Sequence, residues 1–129
     1  FRPDLSLLEI NDADTLDHFK IELEKVFSAF DNIAGIYCNS ARNNLPLCEV
    51  LHKLGMAGRV KVICSDVFSE MYPYFEDGTI TATMWQDPKS QSYKAIQLMY
   101  EYLTTQRIST EQYTIRIGVV MRNNFEEYL

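Results

Sequence analysis

The sequence Ile80-Thr81-Ala82-Thr83-Met84-Trp85-Gln86-Asp87-Pro88 passes from a predicted strand directly into a predicted helix. Its first six residues are mostly β-branched, small or aromatic and follow an aspartate-glycine turn, which predicts a buried strand. Asp87 suits the N-cap of a helix over residues 89–105, and Pro88 fits its first position because proline has no N–H to leave unsatisfied. Gln86 therefore lies at the carboxyl end of a strand, where ligands bind in open α/β sheets.

Strands and helices alternate along the rest of the chain. The predicted strands cover residues 5–10, 33–38, 61–64, 80–85 and 113–121. Helical spacing of apolar residues predicts helices over residues 14–30, 44–55, 69–75 and 89–105, and residues 124–129 add a last helical turn. This alternation predicts an α/β fold with three αβα layers and a mostly parallel sheet.

Length and charge limit the classes of protein that fit. A chain of 129 residues with 47% hydrophobic content forms about one domain with a real core. No apolar run approaches the roughly 20 residues that span a bilayer, and no signal-type segment is present at the start. Because the chain begins at Phe1 rather than Met, we expect a piece of a longer polypeptide. The net charge is −6 and no basic cluster is present, so no direct nucleic-acid contact is expected from this segment.

The cysteines and histidines indicate neither disulfides nor a metal site. Cys38, Cys48 and Cys64 are odd in number and lie in or beside apolar runs, which predicts free buried thiols in a reducing compartment. His18 and His52 fall on separate predicted helices without a ligand-like partner nearby. We therefore predict no metal and no cofactor.

The common catalytic signatures are absent from the sequence. It contains no GxGxxG, P-loop, GxSxG or HExxH spacing, and no nucleophile stands beside a base. An enzyme on a flavodoxin-like sheet would need one of these groups. We predict a protein that is not an enzyme and has no catalytic residue.

Polar pairs follow the predicted strands. These pairs are Asn11-Asp12, Asn39-Ser40, Ser65-Asp66 and Gln86-Asp87. A parallel sheet would gather them along one edge, and such an edge suits a neutral, hydroxyl-rich ligand. Asp66 can accept hydrogen bonds from two neighbouring hydroxyls, Gln86 can donate and accept, and Trp85 can offer a flat face to a sugar ring. The alternatives are that Asp66 belongs only to a turn and that Trp85 belongs only to the core.

An ordered series of motifs carries a resemblance over nearly the whole chain. The series is Gly35-Ile36-Tyr37-Cys38-Asn39-Ser40, Leu51-His52-Lys53-Leu54-Gly55, Val60-Lys61-Val62-Ile63-Cys64-Ser65-Asp66, Asp77-Gly78-Thr79-Ile80-Thr81-Ala82-Thr83 and Gln86-Asp87-Pro88, with Tyr93 and Ala95. It resembles the C-terminal part of the type I periplasmic-binding-protein fold. Sugar-binding proteins of ABC importers share that fold with the effector domains of LacI-type transcriptional regulators.

The resemblance implies a C-terminal lobe over residues 1–129, with Asp66 and Gln86 as ligand contacts and with Asn39 and Ser40 lining the cleft. It also implies that residues 87–121 include crossover elements that pack on an N-terminal lobe. Two positions depart from the family pattern. Ser40-Ala41 replaces the usual Asn-Asp and removes an amide contact, and Ser92 replaces a usual glycine.

The sequence thus predicts a cytoplasmic effector-binding domain of a LacI-type regulator that binds a small polar ligand, a sugar. In that interpretation a missing N-terminal domain contacts DNA, and this segment contacts neither DNA nor membrane. The alternative is the sugar-binding component of an ABC importer. Ala95, Ile96, Met99, Tyr100 and Leu103 lie close to one face of the 89–105 helix, and this unpartnered apolar stripe predicts a homo-oligomer.

Overall fold

The computed structural model describes residues 4–11, 15–107 and 113–129. Within these ranges, four strands form one sheet in the order β1-β2-β3-β4. The strands are β1 Gly35–Tyr37, β2 Lys61–Ser65, β3 Ala82–Trp85 and β4 Gly118–Val120. The first three strands are parallel, and β4 runs antiparallel to β3. The predicted α/β class with a mostly parallel sheet is confirmed.

Helices precede, connect and follow the strands. They are α1 Leu16–Ala29, α2 Asn44–Lys53, α3 Tyr72–Glu76 and α4 Pro88–Thr105, with 3-10 helices at Ala41–Asn43, Ser69–Met71 and Arg122–Tyr128. The predicted cap of α4 is confirmed, because Asp87 Oδ1 accepts from the Ser90 amide at 3.1 Å. Thr15 caps α1 in the same way, accepting from the His18 amide at 3.1 Å. Asp14, with which we expected α1 to begin, lies outside the described residues.

The core lies between one face of the sheet and the helices packed on it. Paired positions put Val62, Cys64, Thr83 and Val120 on this face, and none of them is accessible to solvent. Leu47 and Leu51 of α2 pack against the same core, as the helical spacing predicted. Of the apolar residues at helical spacing in and beside α1, Phe19 and Leu23 are buried, whereas Leu16 and Phe30 stay exposed.

Much of the opposite face of the sheet is exposed, although Ser65 and Ala82 on it are buried. The register places Tyr37, Ile63, Met84 and Val119 together on this face. Tyr37, Ile63 and Val119 are 58%, 42% and 56% exposed. A second helical layer, as in a complete three-layer αβα fold, would cover this surface.

Residues 5–10 form no strand, and the prediction of one there is wrong. Leu5, Leu7 and Leu8 are 60%, 86% and 54% exposed. Apolar alternation makes a strand only where a neighbour supplies backbone hydrogen bonds. Among the described residues, β1 and β4 are the edges of the sheet and neither pairs with this segment.

The strand predicted over residues 113–121 is much shorter than expected. Only Gly118–Val120 pairs with β3, and the pairing ends at Trp85 opposite Gly118. Beyond Trp85 the neighbouring chain turns into α4, so residues 113–117 have no strand backbone beside them. The predicted boundary was wrong for that reason.

The C-terminal 3-10 helix closes the core, and it covers the predicted last helical turn. Phe125 is fully buried, with its ring centroid 5.0 Å from that of Phe75 and 5.4 Å from that of Tyr72. Tyr128 packs edge-on against Trp85 at 5.1 Å. A Cβ at Gly118 would come within 2.7 Å of the Tyr128 ring, so a side chain at this position would displace the ring.

Candidate ligand-binding edge

Backbone and side-chain hydrogen bonds join the carboxyl ends of β1, β2 and β3. The Cys38 amide donates to the Ile63 carbonyl at 2.8 Å, and the Asp66 amide donates to the Met84 carbonyl at 2.8 Å. The Ser65 hydroxyl donates to the Cys38 carbonyl at 3.2 Å. The segments 39–40, 66 and 85–86 therefore lie along one edge, which we call the carboxyl edge.

The carboxyl edge brings together the residues predicted as ligand contacts: Asn39, Ser40, Asp66, Trp85 and Gln86. The remaining predicted pair, Asn11-Asp12, was expected to follow a strand and so to lie at this edge, but it does not follow one. No strand forms before Asn11, whose side-chain amide donates instead to Glu9 at 3.2 Å. Asp12 lies outside the described residues.

At the β1 end of the carboxyl edge, the chain passes from the strand into a 3-10 helix within a few residues. Asn39 is exposed and Ser40 is half-buried. The Ser40 carbonyl accepts from the Asn43 amide at 3.0 Å, which starts the 3-10 helix Ala41–Asn43. The side chains of Asn39 and Ser40 thus stand at the junction of a strand and a helix.

Asp66 follows β2 in the left-handed conformation, with φ of +66°. Its carbonyl accepts from the Thr83 hydroxyl at 2.7 Å. None of the described residues donates a hydrogen bond to its carboxylate, which caps neither of the helices next along the chain. The carboxylate therefore keeps its full capacity to accept hydrogen bonds from a ligand.

Gln86 follows β3 and is exposed. Its carbonyl accepts from the Gln91 side chain, whereas its own side-chain amide has no hydrogen-bond partner among the described residues. Trp85 is half-buried, and its contact with Tyr128 and the core shows that packing is one of its roles. The Gln86 side chain is therefore more available to bind a ligand than the Trp85 side chain.

Sequence reasoning missed the residues that support the carboxyl edge from inside. Asn44, Ser65 and Thr83 are 0%, 3% and 0% exposed and donate hydrogen bonds within the domain. Asn44 precedes Leu47 and Leu51 by three and seven positions, which places it on the buried face of α2. A polar residue at a core position of an amphipathic helix was the signal available in the sequence.

The three thiols behind the edge carry no charge at neutral pH. Burial raises the pKa of Cys38, Cys48 and Cys64, and that of Cys48 rises to about 12. All three are buried and unpaired, as expected. A thiol with so high a pKa is a poor nucleophile.

One cluster has the composition of a catalytic triad, but its hydroxyl group is not accessible. His52 Nε2 lies 2.9 Å from Asp77 Oδ2 and 2.9 Å from Thr79 Oγ1. Thr79 is fully buried, and its hydroxyl and amide both contact Asp77 Oδ1, at 2.6 and 2.9 Å. Together these contacts hold the turn before β3, so the cluster is structural.

The described part of the chain contains no other strong candidate site. Its histidines, cysteines and carboxylates form no group of three that could hold a metal ion. No helix in residues 4–11, 15–107 or 113–129 is long and apolar enough to cross a membrane. A shallow depression of about 310 Å³ beside Tyr72 and Arg122 contains none of the predicted ligand contacts. The carboxyl edge is therefore the strongest candidate.

The chain belongs to the periplasmic binding protein domain family, whose sequence profile matches residues 2–107. Solved structures share its fold. An ABC transporter solute-binding protein from Agrobacterium vitis, bound with α-D-tagatopyranose, has a TM-score of 0.85 at 20% identity over 98% of this chain. One from Burkholderia graminis, in complex with D-arabinose, has a TM-score of 0.84 at 22% identity over 98%. GanP, a glucose-galactose binding protein from Geobacillus stearothermophilus, has a TM-score of 0.74 at 20% identity over 85%.

This chain spans less than half the length of those structures. It covers 44%, 45% and 39% of the Agrobacterium, Burkholderia and Geobacillus chains. At these identities the likeness establishes the fold. No curated protein matches the sequence.

Proposed function

We propose that this chain is one ligand-binding lobe of a sugar-binding protein that serves an ABC importer. The observation that carries the proposal is the pair of unengaged polar side chains, Asp66 and Gln86, on adjacent strand ends of the carboxyl edge. Family membership and the sugars named for similar solved structures support it. These relatives favour the importer component over the LacI-type regulator that the sequence first indicated.

The chemistry of the carboxyl edge suits a neutral sugar. The Asp66 carboxylate accepts from two neighbouring hydroxyls, and the Gln86 amide donates to one oxygen and accepts from another. Asn39 and Ser40 add shorter polar groups, and the exposed part of Trp85 adds an apolar surface for the C–H face of the ring. The pairs that follow β1, β2 and β3 contain no lysine or arginine, which suits a neutral ligand.

A second lobe completes the cleft in this proposal. The carboxyl edge is open, and similar binding proteins are more than twice the length of this chain. The region around residues 87–121, with α4, then supplies the elements that cross to and pack on that lobe. Ligand binding would close the two lobes over the sugar.

The effector domain of a LacI-type regulator remains a second candidate, because of the thiols. Cys38, Cys48 and Cys64 are all buried and unpaired. Proteins in oxidising compartments rarely keep three such residues, which favours a reducing, cytoplasmic location. In that case the same carboxyl edge would bind an effector sugar, and DNA would be bound by another domain.

Sugar binding by the polypeptide expressed from its native gene tests the proposed function. We expect calorimetry with D-tagatose, D-arabinose, D-glucose and D-galactose to find saturable binding of at least one, since the edge offers a carboxylate and an amide to ring hydroxyls. Absence of binding to all four would contradict the proposal. Recovery of the protein from the exported fraction would support the importer component, and recovery from the cytoplasm the regulator.

The exposed face of α4 leads to a proposal of self-association for the 129-residue chain. Ile96, Met99, Tyr100 and Leu103 are 71%, 59%, 67% and 63% exposed, and no residue of this 18-residue helix is buried. Contiguous apolar surface of this kind is rare on monomers. In the absence of a second lobe, we propose that two copies cover it mutually.

Sedimentation equilibrium of the 129-residue chain checks this proposal. The wild type is expected to form dimers or larger species at high micromolar concentration, and Ile96→Asp with Met99→Asp is expected to be monomeric because two buried charges would be unpaired. Ser92→Asp adds a charge near the start of the helix without removing an apolar side chain, and it should still associate. A strictly monomeric wild type would rule out self-association.

A further inference from the structure

Two buried side chains hold the backbone of Asp66 from inside the domain. Asn44 Nδ2 donates to the Ser65 carbonyl at 2.7 Å, and Thr83 Oγ1 donates to the Asp66 carbonyl at 2.7 Å. These carbonyls belong to the two peptide groups that flank the Asp66 Cα atom. The amide of the first peptide group also donates to the Met84 carbonyl at 2.8 Å. Both dihedral angles of Asp66 are thereby restrained.

The restrained backbone conformation of Asp66 is higher in free energy than the common conformations of an L-residue. Asp66 has φ of +66°, in the left-handed region, where the Cβ of an L-residue crowds the backbone. Without the flanking hydrogen bonds, a residue after a strand would favour the extended or right-handed regions. The direction of the Asp66 side chain depends on φ and ψ, so these hydrogen bonds also decide where the carboxylate is presented.

We propose that Asn44 and Thr83 are positioning residues, which hold Asp66 in its left-handed conformation so that a ligand meets a preorganised carboxylate. The proposal rests on the proposed function of the carboxyl edge. Neither residue touches the ligand in this account, because both are 0% exposed. Their effect on affinity comes from removing the need to order Asp66 when the ligand binds.

Asn44 also links two parts of the carboxyl edge. It is the first residue of α2, four positions after Ser40, and its side chain reaches the end of β2. Its Nδ2 lies 3.7 Å from the Met71 sulfur as well. This buried side chain therefore adds to the hydrogen bonds of Cys38 and Ser65 that join the segment 39–40 to Asp66.

Amide hydrogen exchange tests, without any ligand, whether Asn44 and Thr83 hold the backbone of Asp66. In Thr83→Val the hydroxyl is lost at nearly constant volume, and the Asp66 amide should exchange faster than in the wild type; Asn44→Ala should have the same effect. Thr83→Ser keeps a hydroxyl and should restore protection. Thr79→Val is the matched control, because Thr79 is equally buried and its hydroxyl binds Asp77 rather than the edge. Equal protection of Asp66 in Thr83→Val and Thr79→Val would overturn the proposal.

Affinity tests the consequence for binding, with whichever of D-tagatose, D-arabinose, D-glucose and D-galactose binds the wild-type polypeptide. Without the Thr83 hydrogen bond, the left-handed conformer of Asp66 should be less populated before the ligand binds. Thr83→Val should therefore weaken binding about 5- to 30-fold, and Thr79→Val should leave it unchanged. On an Asp66→Ala background, Thr83→Val should cause no further loss, because it acts through Asp66. A full additional loss there would contradict the positioning role. If no sugar binds the wild type, the proposed function fails. The exchange experiment still decides whether Asn44 and Thr83 hold the backbone of Asp66.

Discussion

Phe125→Ala is expected to lower the free energy of unfolding by about 3–5 kcal/mol. Phe125 is fully buried in the C-terminal 3-10 helix, where its ring packs on Phe75 and Tyr72. Truncation removes the apolar ring from the core and leaves a cavity that the short helix cannot fill by moving as a rigid unit. A loss of this size is a large part of the roughly 5–15 kcal/mol that stabilises a typical domain.

Urea denaturation followed by circular dichroism measures this loss. Leu129→Ala is the matched control, because Leu129 follows the same helix and is 65% exposed. It should change the free energy of unfolding by less than about 0.5 kcal/mol. A Phe125→Ala variant as stable as Leu129→Ala would mean that residues 122–128 do not complete the core. Denaturation should be followed at low protein concentration, so that association through α4 does not contribute.

Removing either proposed ligand contact is expected to weaken sugar binding about 10- to 150-fold, or about 1.5–3 kcal/mol. In Asp66→Ala the sugar hydroxyls lose a charged acceptor at the end of β2. In Gln86→Ala they lose a donor and an acceptor at the end of β3. Each substitution leaves polar groups of the buried sugar without a partner, which is why the loss exceeds that of an ordinary exposed hydrogen bond.

Calorimetry with the sugar that binds the wild type measures both variants. Asp31→Ala is the matched control, because it removes an exposed aspartate that precedes β1, away from the carboxyl edge. Asp66→Asn separates charge from shape and should fall between the wild type and Asp66→Ala. Unchanged affinity in both Asp66→Ala and Gln86→Ala would end the hypothesis that this edge binds the ligand.

Local chemistry explains which predictions from the sequence succeeded. Asp87 and Pro88 specify a helix start with their own side chains, and Gly55, with φ of +66°, follows the end of α2. The spacing of Leu47 and Leu51 marks a buried helix face without reference to the rest of the fold. The prediction of β1, β2 and β3 as parallel strands, and thus the grouping of Asp66 with Gln86 at one edge, followed from such signals and from the rules for parallel sheets.

The amino-acid sequence by itself determined the elements whose hydrogen bonds or apolar spacing are local: the four α-helices, the three parallel strands and the polar residues that end them. Only the tertiary structure decided which apolar runs pair with a neighbouring strand, and in it residues 5–10 and 113–117 pair with none of the described strands. It also decided the left-handed conformation of Asp66, because the groups that hold it, Asn44 and Thr83, lie 22 and 17 positions away in the chain. Strand pairing and buried side-chain contacts depend on residues distant in sequence, so no local pattern at 5–10 or at Asp66 could have revealed them.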